Sequence, residues 1–203
     1  VKLVRAASAF TGYYSMDGST WTAIATTNIT MASGAMAGLA VTAHNNSALN
    51  TATFDNVGFG NPFAGTWKIQ NVASGLVLNN QGSVTNGSKI TQWTATTTSS
   101  NLDWTLIPTS NGYYQINSLR SGKDAVVQSA STAAGAGIVQ WDFGTSGDDQ
   151  WKPVPNGDGS YTFFNLKSGL VLGDPASSTS TSTQMDQEAS NGGSNQKWRL
   201  IAP

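Results

Sequence analysis

SNQKW, residues 194–198, indicates an internal repeat, because related segments occur twice upstream at a fixed distance. These are SNLDW (100–104) and GDDQW (147–151), so that Trp104, Trp151 and Trp198 are each 47 residues apart. A constant spacing of this length is typical of internally repeated architectures. We therefore expect three copies of one structural unit.

A longer alignment supports the repeat. GTWKIQNVASGLVLN (65–79), GYYQINSLRSGKDAV (112–126) and GSYTFFNLKSGLVLG (159–173) align at the same offset. The aligned columns predicted to face the core hold, in turn, Ile69, Ile116 and Phe163, and Val72, Leu119 and Leu166. Each copy also has a Ser-Gly pair where a tight turn needs the positive φ that glycine adopts without strain. Three copies, offset from one another by 47 residues, fill 65–203.

Each repeat contains about four short runs rich in β-branched and aromatic residues, without helical periodicity. Three blades would be too few for a propeller, so a closed three-fold barrel is the better interpretation. Residues 1–60 do not follow the repeat, although they also have an Asp-Gly hairpin turn at MDGS (16–19) and five strand-like runs. These runs are KLVRAA (2–7), FTGYYS (10–15), WTAIAT (21–26), AGLAVTAH (37–44) and TATFDNVGFG (51–60). NPFAG (61–65) carries Pro and Gly between the two patterns, so 61–64 is predicted to be a linker. The fold class is all-β.

Composition excludes several functions. Ten basic residues scattered along a chain of net charge -1 form no cluster for phosphate, so nucleic-acid binding is not expected. The most apolar stretch, GAMAGLAVTA (34–43), is too short to cross a bilayer. Cysteine is absent and His44 is the only histidine, which we interpret as structural or surface-exposed, so no metal site and no cofactor are predicted.

The closing tryptophans, the Ser-Gly turns and the TQW (91–93) and VQW (139–141) elements together resemble the ricin B-type lectin fold. This is a β-trefoil, known in its bacterial form as carbohydrate-binding module family 13. The signature Q-x-W of that family is intact only at 196–198, and the copies at 102–104 and 149–151 depart from it. The resemblance implies a carbohydrate-binding domain over 65–203.

Residues 1–60 resemble the C-terminal half of a concanavalin-like jelly roll of the kind attached to bacterial glycoside hydrolases. The resemblance rests on KLVR (2–5), FTGYYSMDGSTWT (10–22), GLAVTAHNNS (38–47) and ATFDNV (52–57). It implies a partial β-sandwich whose front half is missing. We therefore expect this segment to pack onto the trefoil or to be completed by a further chain.

The resemblance also implies positions for sugar binding. Trp93 and Trp141 occupy the column whose aromatic ring stacks on a sugar, although either ring could instead be a partly buried packing residue. The polar column after the Ser-Gly turn holds Asn79, with Asp174 one step from its third-repeat position, and a second polar column precedes the Q-x-W segment. The predicted carbohydrate-binding residues are Asn79, Trp93, Asn101, Trp141, Asp148, Asp174 and Asn195. The first repeat retains the most complete set, but isolated Asn and Asp residues in such loops are also common turn formers.

These observations predict a non-catalytic region of a secreted bacterial carbohydrate-active protein, which tethers it to a polysaccharide or glycan. The alternative is a structural or docking module whose sugar sites have decayed. An enzyme is the least favoured interpretation, because no spacing selects a catalytic pair among eleven acidic residues and neither H-E-x-x-H nor G-x-S-x-G occurs.

Overall fold

In a computed structural model of the protein, the residues described are 1–6, 8–31, 38, 47, 49, 51, 61, 63–96, 98–109 and 112–203. The chain divides into two compact units, residues 1–53 and 54–203. Within the described ranges, no helix has the length and apolar character needed to cross a membrane.

The first unit contains an antiparallel three-stranded meander, β1 (Lys2–Ala6), β2 (Ala9–Tyr14) and β3 (Thr22–Asn28). The first three predicted strand-like runs are therefore confirmed. In the β2–β3 connection Gly18 has φ +73°, and the Asp17 Oδ1 atom accepts the backbone N–H groups of Ser19 and Thr20 at 2.8 and 2.7 Å. These hydrogen bonds, with that from Thr20 first, lower the pKa of Asp17. The remaining predicted runs, 37–44 with His44 and 51–60, lie almost wholly outside the described residues.

The second unit has four strands in each repeat, as predicted. The first repeat contains β4 (Thr66–Asn71), β5 (Val77–Asn79), β6 (Thr91–Trp93) and β7 (Trp104–Pro108); the second contains β8 (Tyr114–Ser118), β9 (Asp124–Val127), β10 (Ile138–Trp141) and β11 (Trp151–Pro155); the third contains β12 (Tyr161–Asn165), β13 (Val171–Gly173), β14 (Asp186–Glu188) and β15 (Trp198–Ile201). Four short 3-10 turns, at Ser100–Leu102, Gln128–Ala130, Pro175–Ser177 and Ser194–Gln196, lie between the strands.

The first and last strands of each repeat close a six-stranded barrel. Around it β4 pairs with β7, β7 with β8, β8 with β11, β11 with β12, β12 with β15, and β15 returns to β4. The two middle strands of each repeat form a hairpin. Gly75, Gly122 and Gly169 have φ values of 70°, 69° and 69°, so the three Ser-Gly turns have the same conformation, as expected. This is the predicted β-trefoil.

The three evenly spaced tryptophans form the centre of the core. Trp104, Trp151 and Trp198 are fully buried. Each indole N–H donates to the carbonyl of the middle residue of its own repeat's hairpin strand, at Leu78, Ala125 and Leu172, over 3.1, 2.8 and 3.0 Å respectively. The spacing of 47 residues therefore reflects one hydrogen bond and one packing contact made three times.

Phe63 belongs to this core although it precedes the repeats. Its ring packs edge-on against Tyr114 and Tyr161, with centroids 5.1 and 5.2 Å apart, and its carbonyl accepts the Trp67 indole N–H at 2.9 Å. Trp67, Tyr114 and Tyr161 are equivalent in the three repeats. The segment predicted as a linker thus contributes a residue to the trefoil core.

One predicted core column is wrong. Ile69, Ile116 and Phe163 are fully buried, but Val72 is only half-buried and Leu119 and Leu166 are exposed. The backbone N–H groups of this second column bond to the carbonyls of Lys197, Asp103 and Gln150, at the point where each strand enters its turn. The corner is therefore held by its backbone, and the side chains point outward.

Candidate functional site

The two faces of each hairpin have different environments because strand residues alternate in direction. On the inner face Leu78, Ala125 and Leu172 are buried against the core tryptophans. On the outer face Val77 is opposite Trp93, Asp124 is opposite Trp141, and Val171 is opposite Glu188. Trp93 is 41% exposed and Trp141 is 49% exposed. Both predicted stacking residues therefore present their rings at the surface rather than inside the domain.

A glutamine beside each of these positions joins the repeats in a ring. The side chains of Gln92, Gln140 and Gln187 are fully buried, and each accepts the hydroxyl hydrogen bond of the serine in its own Ser-Gly turn, at 2.7 to 2.9 Å. Each amide N–H2 group donates to carbonyls of a different repeat: Gln140 to Thr85, Gln187 to Ser131 and Ala133, and Gln92 to Ser178 and Ser180. The glutamine of TQW and VQW is therefore structural, and the tryptophan that follows it is free for other contacts.

In the first repeat the predicted polar residues bind each other. The Asn101 amide donates to Asn79 Oδ1 at 2.7 Å, and the same oxygen accepts the backbone N–H of Gln81 at 2.7 Å. Asn79 is buried and lies on the same hairpin face as Trp93. The three predicted residues are thus brought together, but the acceptor oxygen of Asn79 is already occupied twice by the protein.

In the second repeat, Trp141 and Asp148 line a cavity of about 530 Å³. Its wall also includes Val126 and Val139 on the hairpin, Phe143 in the loop after β10, and Gly87 from the first repeat. A Cβ atom on Gly87 would lie 3.5 Å from Trp141 Cζ3, so the first-repeat loop passes close beside the indole ring. An apolar concavity with a few polar groups at its rim is the usual form of a small-ligand site.

The acidic residues of this cavity differ in availability. Asp148 accepts a hydrogen bond from the Ser146 hydroxyl. Asp142 is bound by Lys123 Nζ at 2.5 Å and by the Asn86 amide at 2.8 Å, and these two bonds, led by that of Lys123, lower its pKa. Asp149 accepts the Gly144 backbone N–H through Oδ2 at 2.6 Å, while its buried Oδ1 has no partner. Burial is the main cause that raises the pKa of Asp149.

Asp124 lies opposite Trp141 on the same strand pair and is fully buried. Its Oδ1 accepts the Asn117 amide at 2.8 Å, whereas Oδ2 has no partner. Burial, reinforced by the charges of Asp149 and Asp142, raises its pKa to about 7. Valine occupies this column in the other repeats, so the carboxyl is a particular feature of the second one.

In the third repeat the corresponding space is occupied by side chains of the protein. A Cβ atom on Gly173 would lie 2.7 Å from Glu188 Cδ, which means that the glutamate folds over the glycine. Glu188 Oε2 accepts the amides of Asn195 and Gln196 at 2.9 and 2.7 Å. Asn195 also donates to the Asp174 carbonyl at 3.2 Å. Asp174, Asn195 and Glu188 are therefore brought together, and Asn195 binds both the Glu188 carboxylate and the Asp174 backbone. The Asp174 carboxyl instead accepts the Gln92 amide of the first repeat at 3.3 Å through Oδ1, and its buried Oδ2 has no partner.

The carboxyl groups of this third site perturb one another. Burial, followed by the charge of Glu188, raises the pKa of Asp174 to about 6. Burial, followed by the charges of Glu188 and Asp174, raises the pKa of Asp186 to about 7. Within the described part of the chain, no group of three or more His, Cys, Asp or Glu side chains is arranged to hold a metal ion.

The column of the Q-x-W glutamine explains how the loops before the core tryptophans are held. Gln196 Oε1 accepts the Asn191 backbone N–H at 2.9 Å, and Asp149 makes the same bond to Gly144, the equivalent residue of the second repeat. Aspartate thus replaces glutamine as the acceptor. Leu102 has no such group and is buried. The sequence analysis missed Asp124, Asp149 and Phe143 in the second repeat, although the departure of Asp149 from Q-x-W was a signal that could have found it.

The chain matches the family described as Ricin-type beta-trefoil lectin domain-like over residues 53–141 and 147–203. Because this match covers more than half of the sequence, the chain belongs to that family. Its fold is generally non-catalytic. No match was found among curated proteins.

Three solved structures illustrate the similarity. The designed three-fold symmetric protein ThreeFoil is 32% identical, with a TM-score of 0.66 over 68% of this chain and 99% of that chain. The exo-β-1,3-galactanase 1,3Gal43A from Clostridium thermocellum is 30% identical, with a TM-score of 0.66 over 70% of this chain but only 31% of that chain. The ricin B-like lectin of Macrolepiota procera, solved in complex with lactose, is 19% identical, with a TM-score of 0.61 over 71% and 100%.

Proposed function

We propose that the trefoil binds carbohydrate through shallow surface sites, and that the second repeat is the principal site. The observation that carries this proposal is the cavity in which the half-exposed ring of Trp141 meets Val126 and Val139 beside Asp148 and Asp149. An indole face suits the apolar C–H face of a sugar ring, and carboxylates accept hydrogen bonds from its hydroxyl groups. Membership of a lectin-like family supports the same function.

The first repeat is a secondary site in this proposal. Trp93 offers a half-exposed ring, and Asn79 and Asn101 lie together on its hairpin face. Because the acceptor of Asn79 is already bonded twice within the protein, a sugar hydroxyl must share it or replace one bond. The third repeat, with Glu188 in the place of the ring, is not expected to bind sugar.

The biological role proposed is attachment of a larger secreted protein to a polysaccharide. A shallow site of this kind binds in the millimolar range, worth about 4 kcal/mol. Two sites on one domain, facing a polymer with many equivalent units, raise the effective affinity. The galactanase, which matches over about a third of its length, supports an accessory region of a bacterial glycoside hydrolase, similar to carbohydrate-binding module family 13.

The N-terminal unit is proposed to be part of a jelly-roll sandwich completed by further β-structure or by a further chain. Leu3 on β1 and Ile24 on β3 are well exposed on the small sheet. Exposed apolar side chains on so small a sheet favour additional strands that cover them. Its boundary with the trefoil is proposed to lie before Phe63.

A second candidate is a structural or docking module, favoured by the Asn101–Asn79 and Asn195–Glu188 hydrogen bonds within the first and third repeats. Affinity electrophoresis separates the two functions. Native gels cast with galactan, xylan, arabinan or β-glucan should retard the protein on at least one polymer. Trp141→Ala should abolish most of the retardation and Trp93→Ala a smaller part, whereas Glu188→Gln should have no effect.

Migration unaffected by every polymer would contradict carbohydrate binding and favour the docking function. Retardation that survives both tryptophan substitutions would place the sugar elsewhere on the protein. Hydrolysis of any of the four polymers would show that the chain is an enzyme, against the proposal.

A further inference from the structure

The second-repeat cavity has two aromatic side chains, not one. Trp141 is 49% exposed and Phe143 is 51% exposed, and both line the same concavity. The first repeat has Trp93 but Ala95 two residues later, and the third has Glu188 and Ser190. Only the second of the three repeats therefore combines both rings.

We propose that this cavity holds two consecutive sugar units of a neutral glycan chain, the first against Trp141 and the second against Phe143. The inference rests on the proposed function and assigns its ligand: a segment of an oligosaccharide rather than a single terminal sugar. Two residues of fully extended backbone span at most about 7 Å, so the Cα atoms that carry the two rings lie within that distance of each other.

Phe143 is held in place from both sides. Its predecessor Asp142 is bound by Lys123 and Asn86. Its successor Gly144 donates its backbone N–H to Asp149 at 2.6 Å. A ring whose flanking residues are anchored loses little further conformational freedom on binding, so more of its contact energy appears as affinity.

The space between and below the rings suits carbohydrate. Val126 and Val139 supply an apolar floor, and the cavity of about 530 Å³ has more room than one sugar ring fills. Val126 occupies the column that holds Asn79 in the first repeat, and its side chain offers no hydrogen bond. Affinity must therefore come more from ring stacking, which increases with the number of sugar units that find an aromatic face.

The charges of the cavity limit the ligand to neutral sugars. Asp142, Asp148 and Asp149 line it, and its described lining includes no lysine or arginine. Lys123, which binds Asp142 from outside the lining, is already paired by that contact. A uronic or sialic acid would place a carboxylate among carboxylates without a free cation.

Isothermal titration tests the proposal on the full chain, with galactose, β-1,3-galactobiose and galactotriose in one series and xylose, xylobiose and xylotriose in another. In the series that binds, the disaccharide should bind about three- to tenfold more tightly than the monosaccharide. Phe143→Ala should remove this gain and leave the monosaccharide affinity within about twofold, since it deletes one stacking contact only. Trp141→Ala should weaken both ligands.

Two controls keep the outcomes distinct. Phe143→Leu retains apolar volume without a ring and should lose most of the gain, while thermal unfolding of both variants should match the parent protein. Trp93→Ala should leave the ratio of the two affinities unchanged.

Equal affinity for mono- and disaccharide, or equal weakening of both by Phe143→Ala, would overturn the two-unit cavity while leaving carbohydrate binding intact. Binding of galacturonic acid oligomers as tight as that of neutral ones would also overturn it. Absence of binding to every saccharide in both series would instead contradict the proposed function itself.

Discussion

The second and third repeats share an interior and differ at the surface. In both, a buried tryptophan donates to a hairpin carbonyl and a buried glutamine bridges to another repeat. On the outer face, the second repeat presents Trp141 over an open cavity, whereas the third folds Glu188 over Gly173. Because alternate residues of one strand face opposite environments, one hairpin can keep its buried contacts while its outer face changes. The fold and the proposed function therefore depend on separate columns of the same repeat.

The largest effect is expected in the shared interior. Trp151→Ala and Trp198→Ala each remove a fully buried indole and its hydrogen bond, and each should lower the free energy of unfolding by about 3–5 kcal/mol. Urea denaturation followed by circular dichroism measures both. The two losses should be nearly equal because the two environments are equivalent. Trp141→Ala, at the surface, is the matched control and should lower the free energy of unfolding by less than about 1 kcal/mol. If either core substitution left the free energy of unfolding nearly unchanged, the cores of the two repeats would not be equivalent.

A smaller loss of stability, again equal in the two repeats, is expected when the glutamines that join the repeats are replaced. Gln140→Leu and Gln187→Leu leave a serine hydroxyl and one or two carbonyl groups without their partly buried hydrogen bonds, which costs about 1–2 kcal/mol. Gln70→Leu is the control, because the bond of Gln70 to the Gly75 carbonyl is exposed to solvent. If the buried substitutions cost no more than this control in the same denaturation experiment, the glutamines do not hold the repeats together.

The smallest expected effect is the change of stability with pH, to which buried carboxyl groups of the second and third repeats contribute. The folded-state pKa values of Asp186 and Asp124, about 7, and of Asp174, about 6, exceed the ordinary value near 3.9, so the folded protein retains protons that the unfolded chain has lost. Stability should therefore be highest near pH 4 and fall as pH rises through 6 to 7.

Glu188→Gln keeps an acceptor for Asn195 but removes the charge that acts on Asp174 and Asp186. It should raise stability at pH 8 by about 1 kcal/mol and flatten the pH profile. Asp124→Asn is the second-repeat counterpart, with a gain of similar size. Thermal melts from pH 4 to 8 test both, and a profile that rises toward pH 8 in the parent protein would contradict the assignment.

The repeat and the fold were predictable because the constraints recur. The repeat is visible in this one sequence because three tryptophans are equally spaced and the same Ser-Gly turn occurs in each copy. The prediction for the corner column was wrong because apolar residues at equivalent positions do not have to face inward. Leu119 and Leu166 are exposed, and their backbone N–H groups make the bonds that recur in each repeat.

The candidate site was less predictable because a polar residue in one of its aligned columns can either bind a ligand or hold a loop of the protein. Asn79 and Asn195 occupy the expected positions, yet their side chains hold the loops together, which spacing cannot distinguish from ligand binding. The cavity lies in the second repeat, whereas column counting had favoured the first. What distinguishes it is Phe143 and the Gly87 loop of a neighbouring repeat, and a contact between repeats is not visible in an alignment of columns.

Whether carbohydrate binds at the Trp141 cavity of the second repeat can be measured on the seven tryptophan indole N–H groups. Their signals are followed in a two-dimensional 1H–15N spectrum during titration with β-1,3-galactobiose and, in parallel, xylobiose. Trp93→Phe and Trp141→Phe assign the two surface signals. We predict that the Trp141 signal moves most, that of Trp93 less, and those of the buried Trp104, Trp151 and Trp198 hardly at all. Shifts centred on Trp198 and the backbone around Glu188, with Trp141 unmoved, would contradict the assignment of binding to the second repeat.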